Sequence, residues 1–229
     1  ARPCRVAVVP KGTTHEFWRT MHAGALRAQG DLRARGVHVD LVWKGPLRED
    51  DREQQVQVVE SFAAQGMDGI VLAPLDARAL VRPVEDARRL GVPAVIVDSA
   101  LDSDAIVSFV ATDNVKGGAM GADALGRLLG GKGRALLLRY QEGSASTGQR
   151  EEGFLAQLRS AWPGVELLVA DQYAGVTVDT AKRAAENLLN RHGPETPLPE
   201  GRPNRCPNSE TAPGGHRFAA EAGRHPPAG

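Results

Sequence analysis

The hydrophobic pattern of the chain alternates between short apolar runs and longer segments with apolar residues at helical spacing. The short runs are rich in β-branched residues and end at Gly, Pro or polar clusters, which predicts buried strands. They comprise residues 5–9, 37–43, 69–73, 93–97, 133–138 and 165–170, with a further apolar run at 106–111. Single amphipathic helices are predicted between them, so the pattern favours an α/β fold with parallel sheets and right-handed crossovers.

The stretch from Val92 to Asn114 divides this pattern into two α/β series. We therefore predict an N-terminal lobe over residues 1–108 and a C-terminal lobe over residues 109–192. The second series has only two clear strands, and such a small sheet is poorly closed. The C-terminal lobe is accordingly expected to be incomplete.

Short polar motifs predict where several helices begin. Thr13 with Glu16, and Ser146 with Gln149, have the spacing of capping boxes, in which two side chains satisfy the free N–H groups of the first turn. Residues 113–114 are expected to cap the helix that follows them.

Residues 193–229 differ abruptly in composition from the rest of the chain. They hold eight of its fifteen prolines, and Leu198 and Phe218 are their only large aliphatic or aromatic residues. Such a segment buries too little apolar area to offset its ordering entropy, so a disordered tail is predicted. The hypothesis for its origin is an out-of-frame or truncated translation of a longer gene.

Composition excludes several classes of partner. Lys plus Arg equals Asp plus Glu at 28 each, so no net field attracts nucleic acid or an anionic membrane surface. No apolar run is long enough for membrane insertion. The N-terminus lacks the long apolar region of a signal peptide, so the protein is either cytosolic or given from a point after processing.

Motifs for catalysis and cofactor binding fail on inspection. Residues 126–132 have phosphate-loop spacing, but Gly133 stands where Ser or Thr is required, and the motif ends a helix instead of opening one. His15-Glu16 is followed by Arg19 where a zinc-protease helix has its second His. We find no nucleophile elbow, dinucleotide fingerprint or metal-binding cysteine spacing. The sequence therefore predicts a protein that is not an enzyme, with no catalytic residues, no cofactor and no metal.

Polar and aromatic residues cluster after the predicted strands, where ligands bind in open parallel sheets. They are Lys11, His15, Phe17, Trp18, Asp76, Asp98, Ser99, Thr112, Asp113, Asn114, Gln141, Arg150 and the region of Tyr173. Carboxylates, amides and an arginine beside aromatic rings suit a polyhydroxylated ligand.

Each leading candidate also has a simpler structural explanation. Trp18 either packs in the core or faces the cleft, and Asp98 is of a type that often caps a turn. Arg150 alternatively forms a surface ion pair with Glu151 or a neighbouring acid, and His15 is alternatively a surface residue at a helix start.

Three blocks of the sequence, residues 10–29, 53–101 and 108–154, together resemble the type I periplasmic binding proteins. The resemblance is to the ribose-binding-like branch that serves sugar ABC transporters, and it covers roughly residues 5–192. It implies two Rossmann-like (flavodoxin-like) lobes joined by three crossing strands that close on a ligand. It also implies a sugar-like small-molecule ligand, an ABC permease as partner, a periplasmic or other extracytoplasmic location and a monomer.

The resemblance also implies roles for particular residues. Phe17 and Trp18 match the aromatic pair that flanks the sugar ring, and His15 matches a polar contact two residues earlier. Asp98 matches the carboxylate that holds ring hydroxyls, and Arg150 matches the arginine of the R-x-x-G-F motif.

Two departures from the ribose binders affect the expected ligand. Ser99 stands where they have Arg, and Ala73 where they often have Asn. Ser99 is still predicted to bind the ligand. Ribose itself is not predicted as the ligand, because each ligand hydroxyl that is buried without a partner costs about 1–3 kcal/mol of binding free energy.

Two other functional classes share the predicted fold. One is the effector-binding domain of a LacI-type transcription regulator, which requires an upstream helix-turn-helix. The other is an enzyme built on a flavodoxin-like sheet, which the failed motifs disfavour.

Overall fold

The computed structural model describes residues 2–193, which form seven strands and six helices. The strands are β1 (Cys4–Val9), β2 (Val39–Trp43), β3 (Gly69–Leu72), β4 (Ala94–Val97), β5 (Ser108–Val110), β6 (Gly133–Arg139) and β7 (Val165–Tyr173). The helices are α1 (Glu16–Ala34), α2 (Arg52–Ala64), α3 (Val81–Arg89), α4 (Asn114–Leu128), α5 (Ala145–Ala161) and α6 (Val178–His192).

Strands β1 to β5 form a parallel sheet in the order β2-β1-β3-β4-β5. Strands β6 and β7 form a second parallel sheet. We call the first sheet with α1–α3 the first lobe, and the second sheet with α4–α6 the second lobe. The α/β fold and its parallel sheets, predicted from the hydrophobic pattern, are confirmed.

The hydrophobic core of the first lobe lies between its sheet and helices α2 and α3. Ile70 and Ile96 on the strands pack in one cluster with Val59 and Phe62 on α2. Each is at most 4% exposed, and burying a side chain of this size stabilises the fold by roughly 1.5–3 kcal/mol. This core fixes the carboxyl ends of the strands, where the polar loops begin.

Helix α1 covers the opposite face of the first sheet only in part. Alternate strand residues such as Val8 and Val71 face it, because successive side chains on a strand point to opposite sides. Together with Met21 and Ala25 of α1 they line an almost wholly apolar cavity of about 440 Å³.

The second lobe is held together mainly by the close packing of α4 against α5. A Cβ atom on Gly118 would overlap the carbonyl oxygen of Arg150, and one on Gly153 would overlap that of Val115. Its fully buried apolar cluster is small and comprises Ala122, Ala135, Leu158 and Val165.

Both predicted capping boxes are wrong, because their hydroxyl side chains bond elsewhere. Helix α1 begins with His15 as N-cap and has no side-chain cap, while Thr13 Oγ1 donates to the carbonyl oxygen of Pro46. Helix α5 begins after Ser144, and Ser146 Oγ instead accepts from Lys11 Nζ.

The predicted cap of α4 is confirmed for Asp113, whose carboxylate accepts from the backbone N–H of Lys116 at 2.9 Å, whereas Asn114 is the first residue of the helix and not its cap. Asp51 caps α2 in the same way through the N–H of Gln54. These two carboxylates cap their helices, whereas the hydroxyl groups of Thr13 and Ser146 have partners elsewhere in the fold.

Strand β5 joins the first sheet by pairing with β4. The predicted lobe boundary after residue 108 therefore falls inside this strand. Within residues 2–193 the chain passes from the first sheet to the second once, through residues 111–113. The predicted disordered tail at 193–229 lies outside the described residues except for Gly193.

Candidate functional site

The loops at the carboxyl ends of the first sheet present one wall of a polar cleft. Lys11 follows β1, Asp98 follows β4, and His15, Phe17 and Trp18 lie at the start of α1. Parallel strands bring their carboxyl ends to the same edge of a sheet, so these residues meet although they are distant in sequence.

The second lobe supplies the facing wall from the end of β6 and the first turns of α5. Tyr140 follows β6, and Ser146, Thr147 and Arg150 lie on α5. The cavity between the walls has a volume of about 160 Å³. Its lining residues are Lys11, His15, Phe17, Trp18, Glu49, Asp98, Tyr140, Ser146, Thr147, Arg150 and Val176. Five of the six predicted ligand-binding residues thus line one cavity.

Lys11 is a buried cation in this cleft, only 3% exposed. Its Nζ donates to Ser144 Oγ at 3.1 Å and to Ser146 Oγ at 3.3 Å, and it lies 3.5 Å from Asp98 Oδ2. Burial lowers the pKa of the Lys11 ammonium, and the nearby Asp98 carboxylate opposes this shift only in part. Lys11 therefore binds first-lobe and second-lobe groups at the same time.

Asp98 has a backbone conformation that is rare for residues other than glycine. Its φ of 64° lies in the left-handed region, which Asp and Asn tolerate better than most side chains. Within residues 2–193, its carboxylate contacts Lys11 and accepts from no backbone N–H of a turn. The alternative role of Asp98 as a turn cap is not the one seen in the structure.

The Arg150 guanidinium is exposed on the cleft side of α5, and no carboxylate within residues 2–193 lies within salt-bridge distance of it. Its sequence neighbour Glu151 is 7% exposed and accepts instead from Arg139 Nε at 2.7 Å. The alternative ion pair between Arg150 and Glu151 does not form. The donors of Arg150 face the cleft.

The two aromatic residues differ in exposure. Trp18 is 3% exposed and Phe17 is 47% exposed, and their rings meet edge to face with centroids 4.8 Å apart. Trp18 Nε1 donates to Glu49 Oε1 at 2.9 Å. Trp18 therefore packs in the fold and also lines the cleft. The sequence had left these two positions open as alternatives, and the structure combines them.

Of the six predicted ligand-binding residues, Ser99 is the one that does not line the cavity. It is 1% exposed, and its Oγ accepts from the backbone N–H of Ser146 at 3.0 Å. This bond holds the start of α5 against the first lobe. Asp76 likewise serves the fold, since it accepts from the N–H groups of Arg78 and Ala79.

Sequence reasoning missed Glu49 and Tyr140, which occupy opposite walls of the cleft. Tyr140 Oη donates to Glu49 Oε2 at 2.6 Å. Burial raises the pKa of the Tyr140 phenol strongly, and its bond to Glu49 adds to the effect. The rule that ligands bind beyond strand ends applies equally to β2 and β6, and would have pointed to both residues.

Hydrogen bonds between the lobes converge on residues 140–146. The N–H of Ala77 donates to the carbonyl oxygen of Gly143 at 3.0 Å, and Arg52 donates to that of Glu142 at 3.3 Å. Gly143 has a φ of 88°, and a Cβ atom there would overlap the Asp76 carboxylate. Glycine is required at this position for the segment to approach the first lobe.

Comparison with known proteins places the chain in a family. A family model described as "Periplasmic binding protein domain" matches residues 6–225. The chain therefore belongs to the periplasmic binding protein domain family. The resemblance found in the sequence is thereby confirmed.

Two curated relatives illustrate the relationship. The D-ribose/D-allose-binding protein of Pseudomonas aeruginosa is 29% identical over 194 residues, which are 82% of this chain and 59% of that protein. The D-allose-binding periplasmic protein of Escherichia coli is 31% identical over 226 residues, which are 95% of this chain and 68% of that protein. Both are named as binding proteins, in agreement with the prediction that this chain is not an enzyme.

A solved structure shows the same fold. It is a carbohydrate transporter solute binding protein from Agrobacterium radiobacter in complex with D-arabinose, with a TM-score of 0.76 and 31% identity. The match covers 83% of this chain and 64% of that chain. This chain thus spans about three fifths to two thirds of the length of these three proteins. Residues 2–193 comprise one full lobe and part of a second.

Across residues 2–193, no helix combines the length and apolar character needed to cross a membrane.

Proposed function

We propose that this chain carries the ligand-binding cleft of a solute-binding protein that delivers a sugar or related polyol to an ABC permease. The observation that carries the proposal is the meeting of Asp98 from the first lobe and Arg150 from the second in one cavity. A carboxylate accepts hydrogen bonds from neighbouring hydroxyls, and a guanidinium donates in a fork. The ring faces of Phe17 and Trp18 supply an apolar surface for the C–H side of a sugar.

The charges and size of the cleft favour an uncharged monosaccharide. Lys11 and Arg150 balance Glu49 and Asp98 among the lining residues, so a phosphorylated or acidic sugar gains no net attraction. The volume of about 160 Å³ is below the roughly 300–1,000 Å³ of sites for drug-sized ligands. The relatives named for D-ribose, D-allose and D-arabinose support the same class of ligand.

The roles of individual residues follow from this proposal. Asp98 and Arg150 bind hydroxyls, His15 adds a polar contact, and Phe17 and Trp18 flank the ring. Lys11, which was one of the wider group of candidates in the sequence, is also proposed to bind the ligand, because its ammonium lines the cleft beside Asp98. Ser99 acts indirectly through Ser146.

The proposed setting is the periplasm or another extracytoplasmic space, where a monomeric protein presents its closed lobes to the permease. Membership in the periplasmic binding protein family supports this setting. The proposed division is a first lobe that ends with β5 at residue 110 and a second lobe that follows it up to residue 192, which moves the boundary predicted after residue 108 to the end of the strand. Light scattering after size exclusion measures whether the chain is a monomer.

Isothermal titration calorimetry with D-ribose, D-allose and D-arabinose tests the proposed function, with ATP as the comparison ligand. We expect one of the sugars to bind and ATP to give no heat of binding. Arg150→Ala and Asp98→Asn should each weaken sugar binding by about 10- to 100-fold, the loss expected for a hydrogen bond to a charged group.

Two matched variants control for changes of charge alone. They are Arg159→Ala and Asp102→Asn. Arg159 lies on α5 with Arg150, Asp102 lies in the first lobe with Asp98, and neither residue lines the cavity. Both should keep the affinity of the unmodified chain. Unchanged affinity in the Arg150 and Asp98 variants, or binding of ATP in place of every sugar, contradicts the proposal.

A further inference from the structure

Glu49 bonds to both walls of the cleft. Its Oε1 accepts from Trp18 Nε1 in the first lobe at 2.9 Å, and its Oε2 accepts from Tyr140 Oη in the second at 2.6 Å. Its main-chain carbonyl oxygen also accepts from Gln141 Nε2 at 3.0 Å. Both carboxylate oxygens are thus engaged, one within the lobe and one across the cleft.

Tyr140 is itself fixed to the helix that carries Arg150. Its backbone N–H donates to Glu151 Oε1 at 3.3 Å, and the other oxygen of Glu151 accepts from Arg139. Glu151 directly follows Arg150 on α5. A continuous series of hydrogen bonds therefore runs from the indole of Trp18, through Glu49 and Tyr140, to the first turns of α5.

We propose that Glu49 is a positioning residue that couples closure of the lobes to the placement of the Trp18 ring. Glu49 and Trp18 belong to the same lobe, so their bond persists when the lobes separate. The bond from Tyr140 spans the two lobes and exists only when they are closed. Glu49 thereby favours the closed arrangement before any ligand is bound.

A carboxylate at position 49 accepts from Trp18 and Tyr140, one on each of its two oxygens. Glu49→Gln is expected to keep both bonds, because the amide oxygen accepts from the indole and the NH₂ group donates to the Tyr140 hydroxyl, which also accepts hydrogen bonds. Glu49→Leu removes both bonds at a similar side-chain size. Tyr140→Phe removes the bond across the cleft and leaves the Trp18 bond in place.

Distances between spin labels in the ligand-free chain test the proposal directly. The labels are attached at Leu90→Cys in the first lobe and Leu128→Cys in the second. The native leucines are 65% and 83% exposed, respectively. The chain also carries Cys4→Ser and Cys206→Ser, so that only the two introduced cysteines are labelled. Double electron–electron resonance then measures the distribution of distances between the labels without any sugar. The distribution gives the ratio of molecules with separated lobes to molecules with closed lobes.

We expect Tyr140→Phe to raise the ratio of separated to closed lobes about 10-fold, equivalent to about 1.4 kcal/mol. Glu49→Leu should raise it to a similar degree, and the double variant with Tyr140→Phe should exceed neither single variant by more than about twofold, because all three lose the same bond. The matched control is Tyr173→Phe, which removes a second-lobe phenol outside the cleft and should leave the ratio unchanged.

Two results overturn the proposal. One is an unchanged distance distribution in Tyr140→Phe. The other is a double variant whose shift equals the sum of the single shifts in free energy, which would mean that the two residues act independently. The measurement contains no sugar, so its outcome is separate from that of the binding experiments above.

Discussion

The two lobes are stabilised in different ways. The described part of the first lobe buries sixteen apolar residues in one cluster between its sheet and helices α2 and α3, whereas the described part of the second buries four. In the second lobe, glycine contacts between α4 and α5 bring the helix backbones together. The first lobe distributes its stability over many side chains, and the second depends on a few close approaches that also place Arg150.

Truncation of one core side chain in each lobe should give the largest effect and test this contrast. We expect Ile70→Ala to destabilise the chain by about 4 kcal/mol, near the top of the range for such cavities. Leu158→Ala should cost about 2 kcal/mol, because its partly exposed neighbours Phe154 and Trp162 have room to relax. Urea unfolding followed by circular dichroism measures both, and equal losses would remove the contrast.

A matched pair of glycine substitutions on α4 should give the next largest effect. Gly118→Ala places a Cβ atom against the carbonyl oxygen of Arg150 on α5. Among residues 2–193, a Cβ on Gly117 meets nothing within 4 Å apart from the backbone of its own helix. We expect Gly118→Ala to cost about 2–3 kcal/mol by overpacking. Gly117→Ala should instead stabilise the helix by roughly 0.5–1 kcal/mol.

Unfolding in urea compares the two glycine variants directly. Sugar affinity, measured by calorimetry, should fall only in the Gly118 variant, because α5 carries Arg150. If the two variants were equally stable, the close approach of the helices would not hold the second lobe together.

Much of this fold was predictable because local signals and tertiary structure agree. The strand runs and the Asp113 cap depend on residues that are close in sequence. The two capping boxes failed because Lys11 and the Pro46 carbonyl, both distant in sequence, compete for the hydroxyl groups of Ser146 and Thr13.

The candidate cleft was predictable to a similar extent, and for the same reason. Asp98 directly follows a recognisable strand and Arg150 lies near the start of a recognisable helix, so their positions at the cleft could be inferred. The bond between Glu49 and Tyr140 joins residues 91 positions apart. No periodicity or motif in the sequence reports such a pairing.

The smallest expected effect concerns the backbone of Asp98 at the end of β4. Its φ of 64° is unstrained for glycine but costs an ordinary side chain roughly 1–2 kcal/mol. We therefore expect Asp98→Gly to be more stable than Asp98→Ala by about 1 kcal/mol, the reverse of the usual order in a helix or strand. Thermal unfolding compares the pair, and both variants lose the contact with Lys11 equally. A more stable Ala variant would show that this backbone conformation is not maintained.

The single passage of the described chain between its sheets, at residues 111–113, makes closure of the lobes an intramolecular reaction. All three residues are exposed, and the covalent connection sets the effective concentration at which residues 140–146 meet the first lobe. Short connections give effective concentrations in the millimolar range, so individually weak contacts across the cleft are sufficient to hold the lobes together. If the chain were cut at this crossing, the same hydrogen bonds would have to overcome the full entropy of bimolecular association, and closure would depend on protein concentration.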